Sequence, residues 1–478
     1  MRAFDAVVVG SGPNGLAAAV VLAENGHQVV VLEARRSVGG GTRTEELTLP
    51  GFRHDVCSGF HPLGAASPFL RRVALERFGL RWVVPEVQLA HPIDGVRAAA
   101  LWRSLDKTCE RLGIDGSRWR NAVRNVAANW NSLALTIQKP PLTRPFAPAD
   151  QALGLLPAAA IARWFRSEDT RALFAGLAAH GMRPMGAPAT AAIGLVLGGL
   201  AHVEGWPVAE GGSSAITRAL AAYLEFLGGK VRTEHAVRKP GDLPRSRVVL
   251  FDTSPATLVD VYGDRLPAGT RRRIRRHRRG AAAYKIDYAL DGPIPWIAPE
   301  CSRAGVVHVG GTYREVADAA RTVEAGVLPD RPFVLVGQQS LFDPTRAPAG
   351  KQTAWVYTHV PNGFSGQARV EVEAQIERFA PGFRDLVLAS RVTTPGDFEA
   401  HNPNYRGGDI AAGAHTLPRV LGRPGRLRNP YHTGIPGVYL CSAATPPGPG
   451  VHGMCGVNAA HAAMDDHLGW GRSGRDLD

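Results

Sequence analysis

Six residues near the amino terminus, Gly10-Ser11-Gly12-Pro13-Asn14-Gly15, have the types and spacing that cradle a phosphate without any charged side chain. Gly10 permits a tight turn, Gly12 lets backbone approach a pyrophosphate, and Gly15 lets a helix pack close to a strand. That chemistry needs flanking elements, and they occur in order. Phe4–Val9 (FDAVVV) reads as a short buried strand. The run after Gly15, LAAAVVLAENG, has helical period, Gly26 stops it, and Gln28 to Leu32 reads as a second strand ending at Glu33. The helix start offers unpaired N–H groups and a positive dipole end. Glu33 lies 18 residues past Gly15, where a carboxylate accepts from a ribose 2′-hydroxyl and repels a 2′-phosphate. Arg35 and Arg36 offset that repulsion only in part. This unit is a dinucleotide site that disfavours NADP, and NAD and FAD both fit it.

Two further segments bear on the choice. Val38-Gly39-Gly40-Gly41-Thr42-Arg43-Thr44 follows the acid after a short gap. Near the other end, Gly437–Ala443 (GVYLCSA) reads as a strand, followed by ATPPGPGVHGMCG and a helix-compatible VNAAHAAMDDHLG. Gly448, Gly450 and Gly453 repeat the glycine spacing, but Pro446, Pro447 and Pro449 interrupt the turn and no acid-terminated strand follows. The segment therefore reads as a loop delivering N–H groups, at a helix start, to delocalised negative charge. Between these ends, Glu210–Ser214 opens a helix over Ala215 to Leu227, and Val231–Lys239 and Ser246–Pro255 read as strands.

Together these segments resemble the phytoene desaturase and amine oxidase superfamily, whose members carry a diglycine after the acid and a closing segment of the form YLxGxxxxPGxGVxG. The resemblance implies FAD. It implies contacts from Gly10, Ser11, Gly12, Pro13, Asn14 and Gly15, from Glu33, Ala34 and Arg35, and from Gly39, Gly40, Gly41 and Thr42. It places the backbone of Val237 at the adenine, and Thr445, Val451, His452, Gly453 and Met454 along the flavin. Ser442 departs from the wider pattern, in which many members carry Asp. The implied fold is α/β: a Rossmann-type FAD-binding domain, built from 1–90, 205–260 and 425–478, with an inserted α+β substrate lobe. The inserted pieces are 91–204, mainly helical, and 261–424, α+β. Gly51–Leu63, Tyr284–Trp296 and His401–Gly413 are similar to the subgroup named after pyridine nucleotide-disulfide oxidoreductases, although no redox CxxC is present to support dithiol chemistry.

Composition narrows the alternatives. The chain has 478 residues, enough for several lobes, and is 45% hydrophobic and 20% charged, as in a globular protein. Five widely spaced cysteines disfavour a disulfide scaffold and suit a reducing compartment. The net charge of +13 rests on arginine, lysine occurring six times. Its dense cluster, Arg271–Arg279, lacks interleaved aromatics, so a solvated helix face is preferred to anionic lipid, and lipid to nucleic acid. Pro184–Val203 is free of formal charge for 20 residues, but its two prolines and four glycines make a poor membrane span and favour a buried or surface-seated helix. These features predict a cytoplasmic protein without nucleic-acid partners, with peripheral membrane contact and oligomeric state left open.

A flavin needs orientation and exclusion of water more than a set of reactive side chains. His61, in the apolar SGFHPL run, is the acid/base candidate, competing with a purely structural role. His452 is read as a backbone contact, Cys441 as a buried strand residue, and no metal site is expected. Only ten of the 80 residues from Asn121 to Leu200 are charged, which suits an apolar lobe core or tunnel. The leading expectation is an FAD-dependent oxidoreductase, desaturase- or isomerase-like, moving hydride equivalents between flavin and an apolar, isoprenoid or polyene, substrate. An amine oxidase-type flavoenzyme is the alternative, weakened by sparse lysines (Lys285 and Lys351 in the lobe). A non-catalytic flavin protein binding a membrane surface or a partner follows, and a plain NAD-dependent dehydrogenase comes last.

Overall fold

The structure, a computed structural model, describes residues 4–137, 153–414, 416 and 429–470. Phe4–Val9 is the central strand of a five-stranded parallel sheet. The order is Val438–Leu440, Ser246–Phe251, Phe4–Val9, Val29–Leu32, Lys230–Arg232. These strands are short runs of Val, Leu and Phe because both faces are covered, the arrangement parallel sheets require. Helix Pro13–Glu24 is buried from Asn14 to Ala23, lying between the sheet and the helices Ser214–Phe226 and Met454–Ala463. A Cβ on Gly456 would stand 1.8 Å from the Asn14 carbonyl oxygen, so the closing helix meets the first one backbone to backbone. Strand order departs in opposite directions from Phe4–Val9, and Gly10 and Asp252 flank that switch point, where α/β sheets bind ligands.

Several expected elements are shorter than their hydrophobic runs suggest. The second strand begins at Val29, and the closing one spans Val438–Leu440. The strand expected over Val231–Lys239 is confined to Lys230–Arg232, since it lies at the sheet edge and turns at Glu234, where φ is +54°.

The second sheet has seven strands, ordered Val387–Thr393, Ala282–Leu290, Gln352–Val360, Val334–Gly337, Ala304–Val309, Val87–Pro92, Ala98–Trp102. All neighbours are antiparallel except Ala304–Val309 with Val87–Pro92. Strand Val87–Pro92 crosses residue 90 and pairs wholly within this sheet, so the lobe begins before residue 91. Helices Gly116–Ile137, Glu168–Ala179 and Ala191–Val203 cover one face.

Helix Ala191–Val203 accounts for most of the uncharged stretch. Cβ atoms on Gly194, Gly198 and Gly199 would lie 2.9 Å from Phe174, 3.1 Å from Trp119 and 2.4 Å from Val126, so glycine lets three helices nest. Its other side, Ile193, Val196 and Leu197, faces a cavity. Among the described residues no helix is long and apolar enough to cross a membrane. The arginine cluster starts in helix Ala268–Arg275, where Ile274 is buried, Arg271 pairs with Asp264, and Arg272 and Arg275 are exposed.

Candidate active site

A continuous cavity of about 1780 Å³ runs from the glycine loop to the lobe helices. Ligand pockets commonly measure about 300–1,000 Å³, so this one has room for two ligands end to end. One end is polar, formed by Gly10–Asn14, Glu33–Arg35, Gly40–Arg43, Ala236–Arg238 and Asp252–Ser254. The far end is apolar, formed by Val126, Leu133, Leu155, Ile193, Val196 and Leu197 over a floor of Val306, Leu335, Trp355 and Tyr357. The carboxylates on the wall, Glu33, Asp252 and Asp260, all belong to the polar end.

At the polar end Glu33 Oε2 accepts from the Ser11 N–H at 3.0 Å and the Ser11 hydroxyl at 2.5 Å, and Oε1 accepts from the Arg35 N–H at 2.9 Å. Arg43 lies 3.3 Å from Oε1 and balances the buried charge. The carboxylate is thus fixed before any ligand arrives. The diglycine acts through close approach: a Cβ on Gly40 would come within 2.9 Å of the Gly12 Cα. The Asn14 Oδ1 is buried, faces the cavity loop and has no partner among the described residues.

Of the residues expected at the cofactor, Gly10, Ser11, Gly12, Pro13, Asn14, Glu33, Ala34, Arg35, Gly40, Gly41, Thr42, Val237, Val451 and His452 line this cavity. Gly15, Gly39, Thr445, Gly453 and Met454 do not, and stand behind its wall. A Cβ on Gly15 would sit 2.2 Å from the Gly10 oxygen, and Gly39 donates its N–H to Ser11 while its oxygen accepts from Thr42. Thr445 is fully buried with its hydroxyl on the Ser442 oxygen. Gly453 starts helix Met454–Ala463 at φ +75° against Ala17 and Phe69. The Met454 N–H, expected to face flavin, is taken by His452 Nδ1 at 3.0 Å, and His452 Nε2 donates to Gly448 at 3.1 Å. His452 therefore holds the loop together with both ring nitrogens. Ser442, where many relatives of the pattern carry Asp, lines the cavity.

His61 also lines the cavity. The Ser213 hydroxyl donates to the Ser58 oxygen, so the 3.0 Å contact to His61 Nε2 has the imidazole as donor. Nδ1 then carries the lone pair, 3.4 Å from the Ser58 hydroxyl. Burial lowers the His61 pKa to about 4, leaving a neutral ring.

The sequence reading has Lys285 only as one of few lysines and assigns no role to the side chains around it, because their partners are distant in the chain. Lys285 stands on the cavity wall, buried and paired with Asp287, whose own pKa is raised to about 6 by burial despite the lysine. Beside it, His54 Nδ1 lies 3.6 Å from Asp287, and Arg346 bridges Asp55 at 3.0 Å and Asp343 at 2.8 Å. Asp55 also accepts from the Ser213 N–H at 2.7 Å, tying this buried charge group to His61. Trp355 and Tyr357 meet edge to face at 4.9 Å on the floor. His180 on the apolar wall shares a 3.0 Å hydrogen bond with His308. Among the described residues no cluster of His, Cys, Asp and Glu is arranged to hold a metal ion.

Residues 8–73 match the model of the NAD(P)-binding Rossmann-like domain. The chain is 28% identical to pyridine nucleotide-disulfide oxidoreductase domain-containing protein 2 of Rattus norvegicus, covering 97% of this chain and 94% of that protein. It is 25% identical to the hydroxyneurosporene desaturase of Cereibacter sphaeroides, over 96% of each. The chain is an FAD-dependent oxidoreductase similar to the phytoene desaturases. The fold is shared with a solved putrescine oxidase, which superposes with a TM-score of 0.62 at 16% identity, covering 97% of this chain and 99% of that one.

The residues present fit FAD. A diphosphate needs N–H groups at a helix start with no side chain in the way, and a Cβ on Gly10, Gly12 or Gly15 would collide there with backbone or with Asp252. A fixed acid, an unpartnered amide oxygen and a cavity reaching from Val237 to His452 provide for the remaining length.

Proposed function

We propose that this flavoprotein removes hydride equivalents from an elongated, uncharged apolar substrate of isoprenoid or polyene type, seated in the apolar end of the cavity. The observation that carries this reading is the distribution of charge along one cavity: among the described residues every carboxylate on its wall lies at the dinucleotide end, and helix Ala191–Val203 offers the other end only apolar groups. Under this reading the N–H groups of the glycine loop hold the diphosphate, Glu33 with Arg43 behind it holds the ribose, and Val237 backs the adenine. Gly40, Gly41 and Thr42 pass along the middle of the cofactor, and Val451 with the adjoining loop borders the ring system. Bound FAD supplies a two-electron acceptor. Dehydrogenation also releases a proton, and the lone pair on His61 Nδ1 is the group placed to receive it.

A second reading, oxidation of a C–N bond, draws on Lys285 and the Trp355–Tyr357 pair on the same wall. An ammonium substrate would need a carboxylate, and among the described residues the apolar end has none, so the first reading is preferred. The non-catalytic membrane-surface alternative loses one of its two supports, because Pro184–Val203 supplies an interior wall, while the arginines of Arg271–Arg279 keep an exposed basic face. Leu155, 58% exposed, stands at the cavity rim, and lipid contact there would deliver an apolar substrate.

The test is an anaerobic titration of the flavin absorption bands. Bleaching by a long polyene or isoprenoid, with putrescine and amino acids inert, supports the proposal. Bleaching by an amine, with peroxide released on readmission of air, reverses the order of the two readings. A protein that stays colourless after incubation with FAD sinks both.

A further inference from the structure

Asp252 has no role in the reading above, yet it occupies the centre of the cofactor site. It follows strand Ser246–Phe251 across the switch point, and its N–H is anchored on the Val9 oxygen at 2.8 Å. Its Oδ2 accepts from the Gly15 N–H at 2.8 Å. A Cβ on Gly12 would lie 2.6 Å from that same oxygen, and one on Gly15 3.0 Å from it. The carboxyl group therefore fills the hollow of the glycine loop at the start of helix Pro13–Glu24, and it also faces the cavity. These are the donors and the dipole end that a diphosphate requires. An ionised carboxylate there competes for the donors and repels the incoming anion at short range in a poorly screened site.

The groups around Asp252 do not relieve that repulsion. Glu33 faces it from the end of strand Val29–Leu32, with its charge turned toward Arg43 at 3.3 Å. Tyr405, after helix Pro395–His401, and Cys441, after strand Val438–Leu440, face it as well, and burial holds both well above their ordinary ranges, so they are neutral. Burial first, then Glu33, raises the carboxyl itself to about 7, against the N–H groups of Gly15 and Gly12, which favour the ionised form.

We propose that Asp252 makes cofactor binding proton-linked: FAD is taken up by the form in which this carboxyl is protonated, donating to a phosphate oxygen instead of repelling it. This rests on the FAD site argued above. It implies that affinity is strongest in mild acid and falls as Asp252 ionises.

The test is the dissociation constant of FAD, read by flavin fluorescence on the full chain from pH 6 to pH 9. Uptake of one proton per FAD makes the constant rise roughly tenfold per pH unit above the midpoint. Asp252→Asn, which keeps the shape and cannot ionise, is expected to flatten the curve. A flat wild-type curve, or an unchanged slope in Asp252→Asn, overturns the proposal. Titration calorimetry of the wild type in two buffers of different ionisation heat covers a variant that does not fold. About one proton taken up per FAD at pH 8.5 supports the proposal, and none overturns it. A wild type that binds no FAD at any pH refutes the cofactor site itself, a result distinct from pH-independent binding.

Discussion

At the dinucleotide end of the cavity the working parts are backbone, and glycine is chosen for what it lacks. At the lobe end the working parts are side chains, and glycine serves only to bring helices together. The glycines on the two sides fail differently when filled. A Cβ on Gly456 meets a carbonyl oxygen at 1.8 Å, whereas one on Gly199 meets the side chain of Val126 at 2.4 Å. Backbone cannot move without moving the sheet, while a valine can turn or shift. The titratable groups differ as well. The dinucleotide end has carboxylates, one of which gains a proton as the site acidifies. The lobe hides imidazoles that are neutral because they are buried.

Acid should therefore act in opposite directions on the two ends, and its effect on the lobe is the largest expected. Burial lowers His91, His180 and His359 to about 4, 3 and 4 from 6.5. Each is neutral when folded and gains a proton when unfolded below pH 6.5, so the stability present above pH 6.5 is lost as the pH falls toward 4. Each shift is worth on the order of 3 kcal/mol, and together they match the roughly 5–15 kcal/mol that holds a domain folded. Thermal midpoints by near-ultraviolet circular dichroism should drop steeply between pH 6.5 and 4. A midpoint unchanged down to pH 4.5 would contradict the comparison, and His180→Gln should shallow the slope.

Gly456→Ala comes next. It is expected to cost more than about 3 kcal/mol and to yield protein without flavin, measured by the ratio of visible to ultraviolet absorbance. Gly199→Ala should cost only about 1–3 kcal/mol and leave that ratio unchanged. Equal losses in the two variants would erase the distinction between backbone and side-chain contact.

Val196→Trp fills the apolar end without touching the cofactor's wall. Flavin content and reduction by dithionite should be unchanged, while reduction by an apolar substrate falls roughly tenfold or more. Loss of flavin instead would mean that the two ends are not separable. The smallest effect is expected from Arg272→Ala on the exposed arginine face: a change within about 0.5 kcal/mol in denaturant unfolding, and none in flavin content. A large loss there would give the basic cluster a structural role that its exposure does not indicate.

How legible each end was in the sequence follows from the same contrast. Gly10 to Gly15 and Glu33 could be read directly, since a phosphate loop is local: strand, turn, helix and acid sit within about 30 consecutive residues. The Met454 N–H, expected at the flavin, is instead taken by His452, because the ring's orientation depends on Gly448 and on the turn at Gly453. His61 was singled out, yet its tautomer is set by Ser213, which arrives from another part of the chain. Lys285 was noted only as one of few lysines. Its place on the cavity wall depends on the pairing of Ala282–Leu290 with Gln352–Val360 and Val387–Thr393.

By itself, then, the sequence determined the dinucleotide unit and the presence of an uncharged segment, because each of these depends on spacing along one stretch of chain. Tertiary structure alone decided that the uncharged segment walls a cavity, that Arg346 joins Asp55 to Asp343, and that Asp252 fills the glycine loop. Those pairings close over 291 residues for Arg346 with Asp55 and 237 for Asp252 with Gly15. No local periodicity encodes such distances, which are set by which strands lie side by side.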